Sequence, residues 1–404
     1  MRQKRRKGAD AVARTAILGG ARTPLGVLGG KLKDVPATEL GGIAIRGALE
    51  RSGVAADNVD NVVMGMVVQA GAGQIPSRQA TIAAGMPETV PSETINKVCA
   101  SGMRAVNVGD ALIRSGEADV IVAGGMENMS RGPALLPDAR FGRRLGHGRV
   151  LDSVVQDGLW CAFGDVHMGN HGERMAREFD VSREEQDAWA LRSHERALAA
   201  IDAGRMAAEI VPVPVPVRGG TELFDTDEAP RRDTSLEKLA RLRPVFEESG
   251  CITAGNAPGI NDGAAALVLM REERARAEGY EPLVRIRSWA TVCAEPPYLA
   301  TVPALAADKA LAKAGLTHAD IGLVEINEAF AVVAIVSTRL GQWDPDIVNV
   351  NGGAIALGHP VGASGARIVL TLAHEMKQRG VQCGLAAISR GGGPGEAIVL
   401  ALAA

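Results

Sequence analysis

The residues best suited to do chemistry in this chain are a cysteine and a histidine, each just ahead of a helix-like segment. Cys99 sits in Asn96-Lys97-Val98-Cys99-Ala100-Ser101-Gly102. Orphan N–H groups and the dipole at a helix entrance favour an anion. They would lower a thiol pKa from ~8.5 toward neutrality and make a nucleophile. The alternative is a buried apolar cysteine, the usual fate of a free one. His359 lies in the glycine-rich run from Gly352 to Gly365, directly before Pro360. A lone histidine is usually structural, but a Cys–His pair supplies a thiolate with its general base. Asn327-Glu328-Ala329-Phe330 follows an apolar run, where parallel sheets build sites; on the residues alone Asn327 reads rather as a helix cap. Gly391-Gly392-Gly393-Pro394-Gly395 fits neither phosphate-loop nor dinucleotide spacing. It reads as a turn presenting backbone N–H groups to an oxyanion. His167 and His171 have the spacing of a metal pair but lack the H-E-x-x-H carboxylate, so no metal is expected.

The elements that carry these residues are duplicated. Ala-Ser-Gly-x-Arg-x-Val occurs at Ala100–Val106 and again from Ala363 to Val369, an offset of 263 residues. Ala48-Leu49 to Gly53 matches Ala310-Leu311 to Gly315, an offset of 262. Two matching offsets point to a repeated unit that sets Cys99 and His359 at equivalent helix entrances, able to meet across the join. Residues 14–18 form a short strand ending in Gly19-Gly20. Residues 61–68 and 119–123 read as buried strands with a helix over 100–115 between them. The second half repeats this with strands at 323–326, 347–350 and 384–388 and a helix over 363–379. Strand–helix alternation means an α/β fold with a mostly parallel sheet.

Residues 126–250 break the pattern and read as an inserted loop region. Ile210 to Val217 alternates with proline, which forbids a central strand. Ser182 and Glu185 have capping-box spacing at the start of a helix over 182–203. The division expected is a basic tail (1–13), a first half (14–125), the insertion (126–250), a return to the first half (251–282) and a second half (283–404).

Composition excludes several classes. Apolar residues make up 46% of the 404 and charged ones 23%, ordinary for a globular protein. A net charge of −3 and 3% aromatics argue against nucleic-acid binding by charge or stacking. No apolar run reaches the roughly 20 residues of a membrane span. Five cysteines without C-x-x-C indicate a reducing, cytoplasmic setting. The Met1–Lys7 segment is basic without an apolar core, so it is no secretory signal. It reads as a solvated tail, with a targeting or nucleic-acid arm as the other reading.

Taken together the segments resemble the thiolase family, the acetyl-CoA acetyltransferases and 3-ketoacyl-CoA thiolases. The motifs are Asn96 to Gly102, Gly124-Gly125-Met126-Glu127-Asn128-Met129-Ser130, Asn327 to Phe330, and Gly352-Gly353-Ala354 through Gly358-His359-Pro360. The resemblance implies two βαβαβαββ halves in a layered α-β-α-β-α core, with a loop domain inserted in the first half. It implies Cys99 as acyl-accepting nucleophile and His359 as its activator. Asn327, through a water, helps His359 form one oxyanion hole, and the N–H groups of Cys99 and Gly391 form another. His167, Met168, Arg231, Ala254 and Pro258 fall where the family lines its coenzyme A channel. Coenzyme A and acyl-CoA are then substrates, no cofactor is held permanently, and the assembly is a homodimer or homotetramer.

The departures concern the acyl side. The family has a second cysteine before the final glycine turn, the acid/base of carbon–carbon bond formation and cleavage. Here the position is Ser389. A hydroxyl titrates far above a thiol and is a poor base without an activator. Cys383 lies six residues upstream on one strand, about 20 Å away at ~3.3 Å per residue. Pro258 stands where the family often has serine, and Pro297 to Pro303 replaces an M-G-x-G-P-x-P segment. The sequence therefore predicts a thiolase in fatty acid metabolism. Two alternatives stand beside it: an acyltransferase or thioesterase impaired in the carbon–carbon step, and a non-catalytic acyl-CoA-binding subunit. A nicotinamide-dependent dehydrogenase is excluded, because Gly19 to Pro24 lacks G-x-G-x-x-G.

Overall fold

The computed structural model describes residues 14–403; the basic segment 1–13 and its two readings lie outside the described residues. The first half contributes β1 (Thr15–Arg22), α1 (Ala37–Ser52), β2 (Asn61–Gly65), α2 (Pro76–Ala83), β3 (Ser92–Ile95), α3 (Ser101–Ser115), β4 (Val120–Asn128) and, after the insertion, β5 (Asn261–Arg271). The insertion holds α4 (Met168–Glu178) and α5 (Arg183–Asp202). The second half supplies β6 (Val284–Cys293), α6 (Val302–Ala314), β7 (Leu323–Ile326), α7 (Ala331–Leu340), α8 (Ser364–Arg379), β8 (Cys383–Ser389) and β9 (Pro394–Leu402).

The strands run in the order β7-β8-β9-β6-β1-β5-β4-β2-β3. Each half has the same internal order read outward from β1 or β6. Those two strands meet antiparallel at the centre, with Thr15 opposite Ile286. The expected strand at 347–350 is reduced to a single bridge between Val348 and Val324, which occupies the place of β3 in the second half. The sheet is mixed, not mostly parallel. β2–β3, β2–β4 and β7–β8 are parallel, whereas β5 and β9 return antiparallel beside β4 and β8. The β8–β9 link is the glycine turn, too short for the helical crossover that a parallel partner needs.

Alternate residues of each strand serve different layers. Val62, Met64, Val122 and Val268 pack outward against Ala44 and Ile45 of α1. Val63, Ile121, Leu267, Ile388 and Ile398 face the central layer, with Ala105 of α3 and Ile368 of α8. Leu385 and Val399 pack outward against Ala306 and Ala310 of α6 and Val333 of α7. Burial on both faces explains why the strands read as unbroken apolar runs. The second repeated pair marks the ends of α1 and α6, which Gly53 and Gly315 close in the left-handed region at φ 70° and 68°.

Two glycines explain the first repeat. A Cβ on Gly102 would sit 2.7 Å from the Ala366 backbone nitrogen, and one on Gly365 would sit 2.4 Å from that of Met103. Each copy of Ala-Ser-Gly thus lets α3 and α8 cross at backbone contact. Gly19 and Gly20 do not end a strand as expected; β1 continues through them to Arg22. A Cβ on Gly20 would press within 2.7 Å of the Ala266 carbonyl oxygen, so the glycine is there for close approach. In the insertion, Ser182 accepts from the Glu185 N–H at 3.1 Å and caps α5. Val213–Val217 pairs with Gly220–Phe224 in a two-stranded ribbon, where exposed Pro214 and Pro216 need donate no ladder bond.

Candidate active site

Cys99 follows β3 and precedes α3, Asn327 follows β7, His359 precedes α8, Ser389 ends β8, and Gly391 lies in the turn after it. The fold brings Cys99, His359, Ser389 and Gly391 to the wall of one cavity of about 270 Å³. Counted by the 263-residue offset, the position equivalent to Cys99 is Gly362, and His359 stands three residues earlier. The cysteine and histidine are therefore neighbours across the join without being copies of one position.

The loop before Cys99 is held under strain. Val98, β-branched, has φ +48°, a conformation such residues avoid. Its neighbours fix it. Its N–H donates to Asn96 Oδ1 at 3.0 Å, and its carbonyl accepts from Ser101 Oγ at 2.6 Å. The Lys97 N–H donates to the same Oγ at 2.7 Å. The Lys97 ammonium forms an ion pair with buried Glu396. The backbone N–H groups of Cys99 and Gly391 favour the charged form of the sulfur. Even so the thiol is pushed up to about 11, because burial penalises the anion more than those donors and the Arg390 charge favour it. The expected drop toward neutrality is thus reversed by desolvation.

His359 is buried and pushed down to about 3, by burial first and by Arg367 second, so it is a neutral imidazole. Ser364 Oγ donates to the Pro360 carbonyl at 2.9 Å. Its single proton is thereby used, so at 2.6 Å it accepts from His359 Nδ1–H. The Nε2 lone pair is left toward Asn327, whose Nδ2 lies 3.4 Å away. Asn327 does not cap α7: that helix starts at Ala331, with Phe330 in the N-cap position. Asn327 Oδ1 is buried with no protein partner. Asn261 accepts from the His359 N–H at 2.9 Å and donates to the Gly26 carbonyl at 3.0 Å. Glu127 accepts from Val67, Val68 and Gly362 N–H at 2.8, 3.1 and 3.1 Å, and so ties the histidine loop to the first half. Burial raises its carboxyl to about 7.

Ser389 is 1% exposed and its Oγ is buried without a partner. Nothing hydrogen-bonded to it can serve as the activator a serine base needs. Cys383 opens β8 and Ser389 closes it. His167, Met168 and Pro258 line the same cavity as Cys99, whereas Arg231 and Ala254 line a second one that shares Ala257, Gly259 and Ile260 with it. His167 Nδ1 accepts from the Gly169 N–H at 3.0 Å and its ring stacks on Phe246 at 4.7 Å. Glu328 is fully engaged in joining α5 to the second half, accepting from Trp189 Nε1 and Ser193 Oγ, both at 2.8 Å. Sequence reasoning assigned no role to Ser364, Glu127, Asn261 or Arg390. Ser364 carried a signal, being the serine of the repeat.

Residues 15–273 match the family described as thiolase, N-terminal domain, and residues 280–402 match thiolase, C-terminal domain. The chain belongs to the thiolase family. An acetyl-CoA acetyltransferase of Pseudomonas aeruginosa is 50% identical over 386 residues, covering 95% of this chain and 98% of the relative. One of Escherichia coli K12 is 50% identical over 385 residues, with the same coverage. The crystal structure of a Bacillus anthracis acetyl-CoA acetyltransferase superposes with a TM-score of 0.96 at 40% identity, covering 98% of this chain and 100% of that one. The protein is an enzyme, an acyl-CoA acyltransferase of thiolase type. These relatives favour neither the impaired acyltransferase or thioesterase nor the non-catalytic subunit. Among the described residues no helix is long and apolar enough to cross a membrane.

Proposed function

We propose that this thiolase passes an acyl group through Cys99 between coenzyme A thioesters, with an acetyl unit as one partner, as the names of its relatives suggest. The observation that carries the reading is the meeting of Cys99, neutral His359 and the Gly391 N–H at one cavity. His359 Nε2 takes the thiol proton as sulfur attacks the carbonyl carbon. The N–H groups of Cys99 and Gly391, which favour negative charge at the sulfur, stabilise the oxyanion that forms on the attached carbon. Collapse expels the leaving group, which recovers the proton from the imidazolium. In the carbon–carbon step Asn327, through a water, holds the enolate oxygen of the acetyl unit, and His359 Nε2 shares it only when it carries a proton. Ser389 supplies a hydroxyl where that step wants a thiol, which makes carbon proton transfer the slow part of the cycle. The adjoining cavities, with Met168, His167 and Pro258 in one and Ala254 and Arg231 in the other, suit an elongated substrate reaching from the sulfur to the coenzyme A phosphates. The test is Cys99→Ala. Thiolysis of acetoacetyl-CoA should disappear, and retained turnover would overturn the assignment.

The segment 126–250 serves as the loop domain for coenzyme A and oligomer contacts. Its arm exposes Leu136, Phe141, Leu145 and Val150, apolar surface that a partner copy would cover in a homodimer or homotetramer; light scattering decides. All five cysteines are free, which suits a cytoplasmic enzyme, and the acyl-CoA chemistry suits fatty acid metabolism.

A further inference from the structure

Arg390 is a cation in the catalytic cavity that the reaction as described does not use. It lines the same wall as Cys99 and Ser389. Its charge is felt at the Cys99 sulfur. Its Nη1 donates only to the Gly391 carbonyl at 3.1 Å, and its Nε is buried with no partner. Among the described residues it makes no salt bridge. The carboxylate whose charge it feels, Glu396, is committed to Lys97, to Thr291 Oγ1 at 3.0 Å and to Asn107 Nδ2 at 3.0 Å. Among the described residues no Asp or Glu lines the cavity; the remaining wall is largely apolar, with Leu299, Phe246, Ile260 and Phe330. Burial pulls the Arg390 pKa down, the direction expected of a charge without a counterion. A half-buried guanidinium in an apolar, acid-free cavity is poised for an anion carried in by the ligand.

We infer that Arg390 selects an acyl group ending in a carboxylate, so that the preferred 3-ketoacyl-CoA carries an apolar stem with an anionic tail. The planar fork takes a carboxylate through two parallel N–H···O bonds, and the apolar wall takes the methylenes. The inference rests on the acyl-transfer reading and names the acyl class for that site. In thiolysis of that substrate Cys99 Sγ bonds to the 3-keto carbon, the bond from that carbon to C2 breaks, and C2 takes a proton as acetyl-CoA leaves; with an acyl-CoA probe Sγ bonds to the thioester carbon, the bond to the coenzyme A sulfur breaks, and the proton lost by Cys99 ends on the departing thiol. The carboxylate tail remains paired with Arg390 and is not consumed.

The probes are succinyl-CoA and butyryl-CoA, which share the coenzyme A phosphates, the thioester and the four-carbon acyl length. Calorimetric titration of the full chain carrying Cys99→Ala reads binding without turnover. Succinyl-CoA should bind about tenfold or more tighter, the scale of a hydrogen bond to a charged group. Adding Arg390→Gln should bring the two affinities together, and Arg390→Lys should restore part of the gap. Butyryl-CoA binding in each variant reports that the cavity is intact. In the protein with Cys99 present, the ratio of the two acylation rates should follow the same order. Equal affinities in the Cys99→Ala protein, or a gap that survives Arg390→Gln, overturns the inference. A gap in binding with no acylation of Cys99 by either thioester instead refutes the acyl-transfer reading and leaves Arg390 as the carboxylate receptor.

Discussion

Ser364→Ala should disable the base while leaving the substrate in place. The Ser364 hydroxyl receives His359 Nδ1–H at 2.6 Å and donates to the Pro360 carbonyl at 2.9 Å. Removing it leaves a buried N–H without an acceptor, a cost of about 1–3 kcal/mol. The imidazole can escape that cost by moving its proton to Nε2. The nitrogen facing Asn327 then becomes a donor and cannot take the Cys99 proton. Whichever way the cost is met, at 1.36 kcal/mol per decade acylation should slow about tenfold to a hundredfold. Ser364 touches neither the cavity wall nor the coenzyme A channel, so acetyl-CoA affinity should hold. Rapid mixing with acetyl-CoA, following single-turnover thiol release, measures the step. Nitrogen NMR of labelled histidine reads the tautomer, which a merely structural serine would leave alone. Acylation within twofold of wild type, with Nδ1–H still the dominant tautomer, refutes the reasoning.

Ser389→Cys should raise acetoacetyl-CoA thiolysis about tenfold or more, because a thiol can be tuned for proton transfer and a hydroxyl cannot. Cys99 acylation by acetyl-CoA should change far less, and equal gains in both steps would contradict the division of labour. Gly365→Ala puts a methyl 2.4 Å from the Met103 backbone nitrogen. The crossing must open at about 1–3 kcal/mol, so thermal unfolding should shift down, and an unchanged melting temperature would count against the backbone contact of α3 and α8. His359 also sets an acid limit. Its native pKa is about 3, below the unfolded value of about 6.5, so between these values the unfolded chain binds a proton that the native one refuses. Its share of stability is complete above about pH 6.5 and falls as pH drops toward 3, at up to about 1.4 kcal/mol per unit. Denaturant midpoints of wild type and His359→Asn should converge across that window as pH falls; parallel curves would dispose of the buried neutral imidazole.

What could be read in the sequence was local, and what could not was geometry between the halves. Cys99, Asn327, His359 and Gly391 each sit in a short segment whose composition announces a helix entrance or a strand end, so their neighbourhood was legible. The direction of the Cys99 shift was not. A helix entrance and burial act oppositely on a thiol, and the sequence displays only the first. Asn327 looked like a cap because three intervening residues hide that α7 begins at Ala331. β5, β6 and β9 went unread, and with them the antiparallel returns. β5 is rich in alanine and opens with Asn261-Asp262-Gly263, residues disfavoured in strands. Glu127 looked like one more motif residue until the Gly362 N–H appeared on it. Arg390 looked like a neighbour of the missing cysteine until no carboxylate appeared beside it.

The repeat itself explains why one serine has two jobs. In both halves it stands at the start of the central helix and donates to a carbonyl three or four residues back, Val98 from Ser101 and Pro360 from Ser364. In the first half the oxygen's lone pairs receive the Lys97 backbone N–H and so hold the strained turn before Cys99. In the second they receive an imidazole N–H and so hold the base. The shared function is restraint of the loop entering the helix. The chemistry diverged in what each loop carries, a thiol at the third residue ahead of Gly102 and an imidazole at the sixth ahead of Gly365. On the proposed reading, a duplicated fold thus yields an unlike catalytic pair without inventing a second scaffold. On that account Ser101→Ala should spare the His359 tautomer and disturb Cys99 alone, which iodoacetamide labelling and histidine NMR on one sample would separate; a change in the imidazole tautomer of that variant would show that the two hydroxyls are not independent.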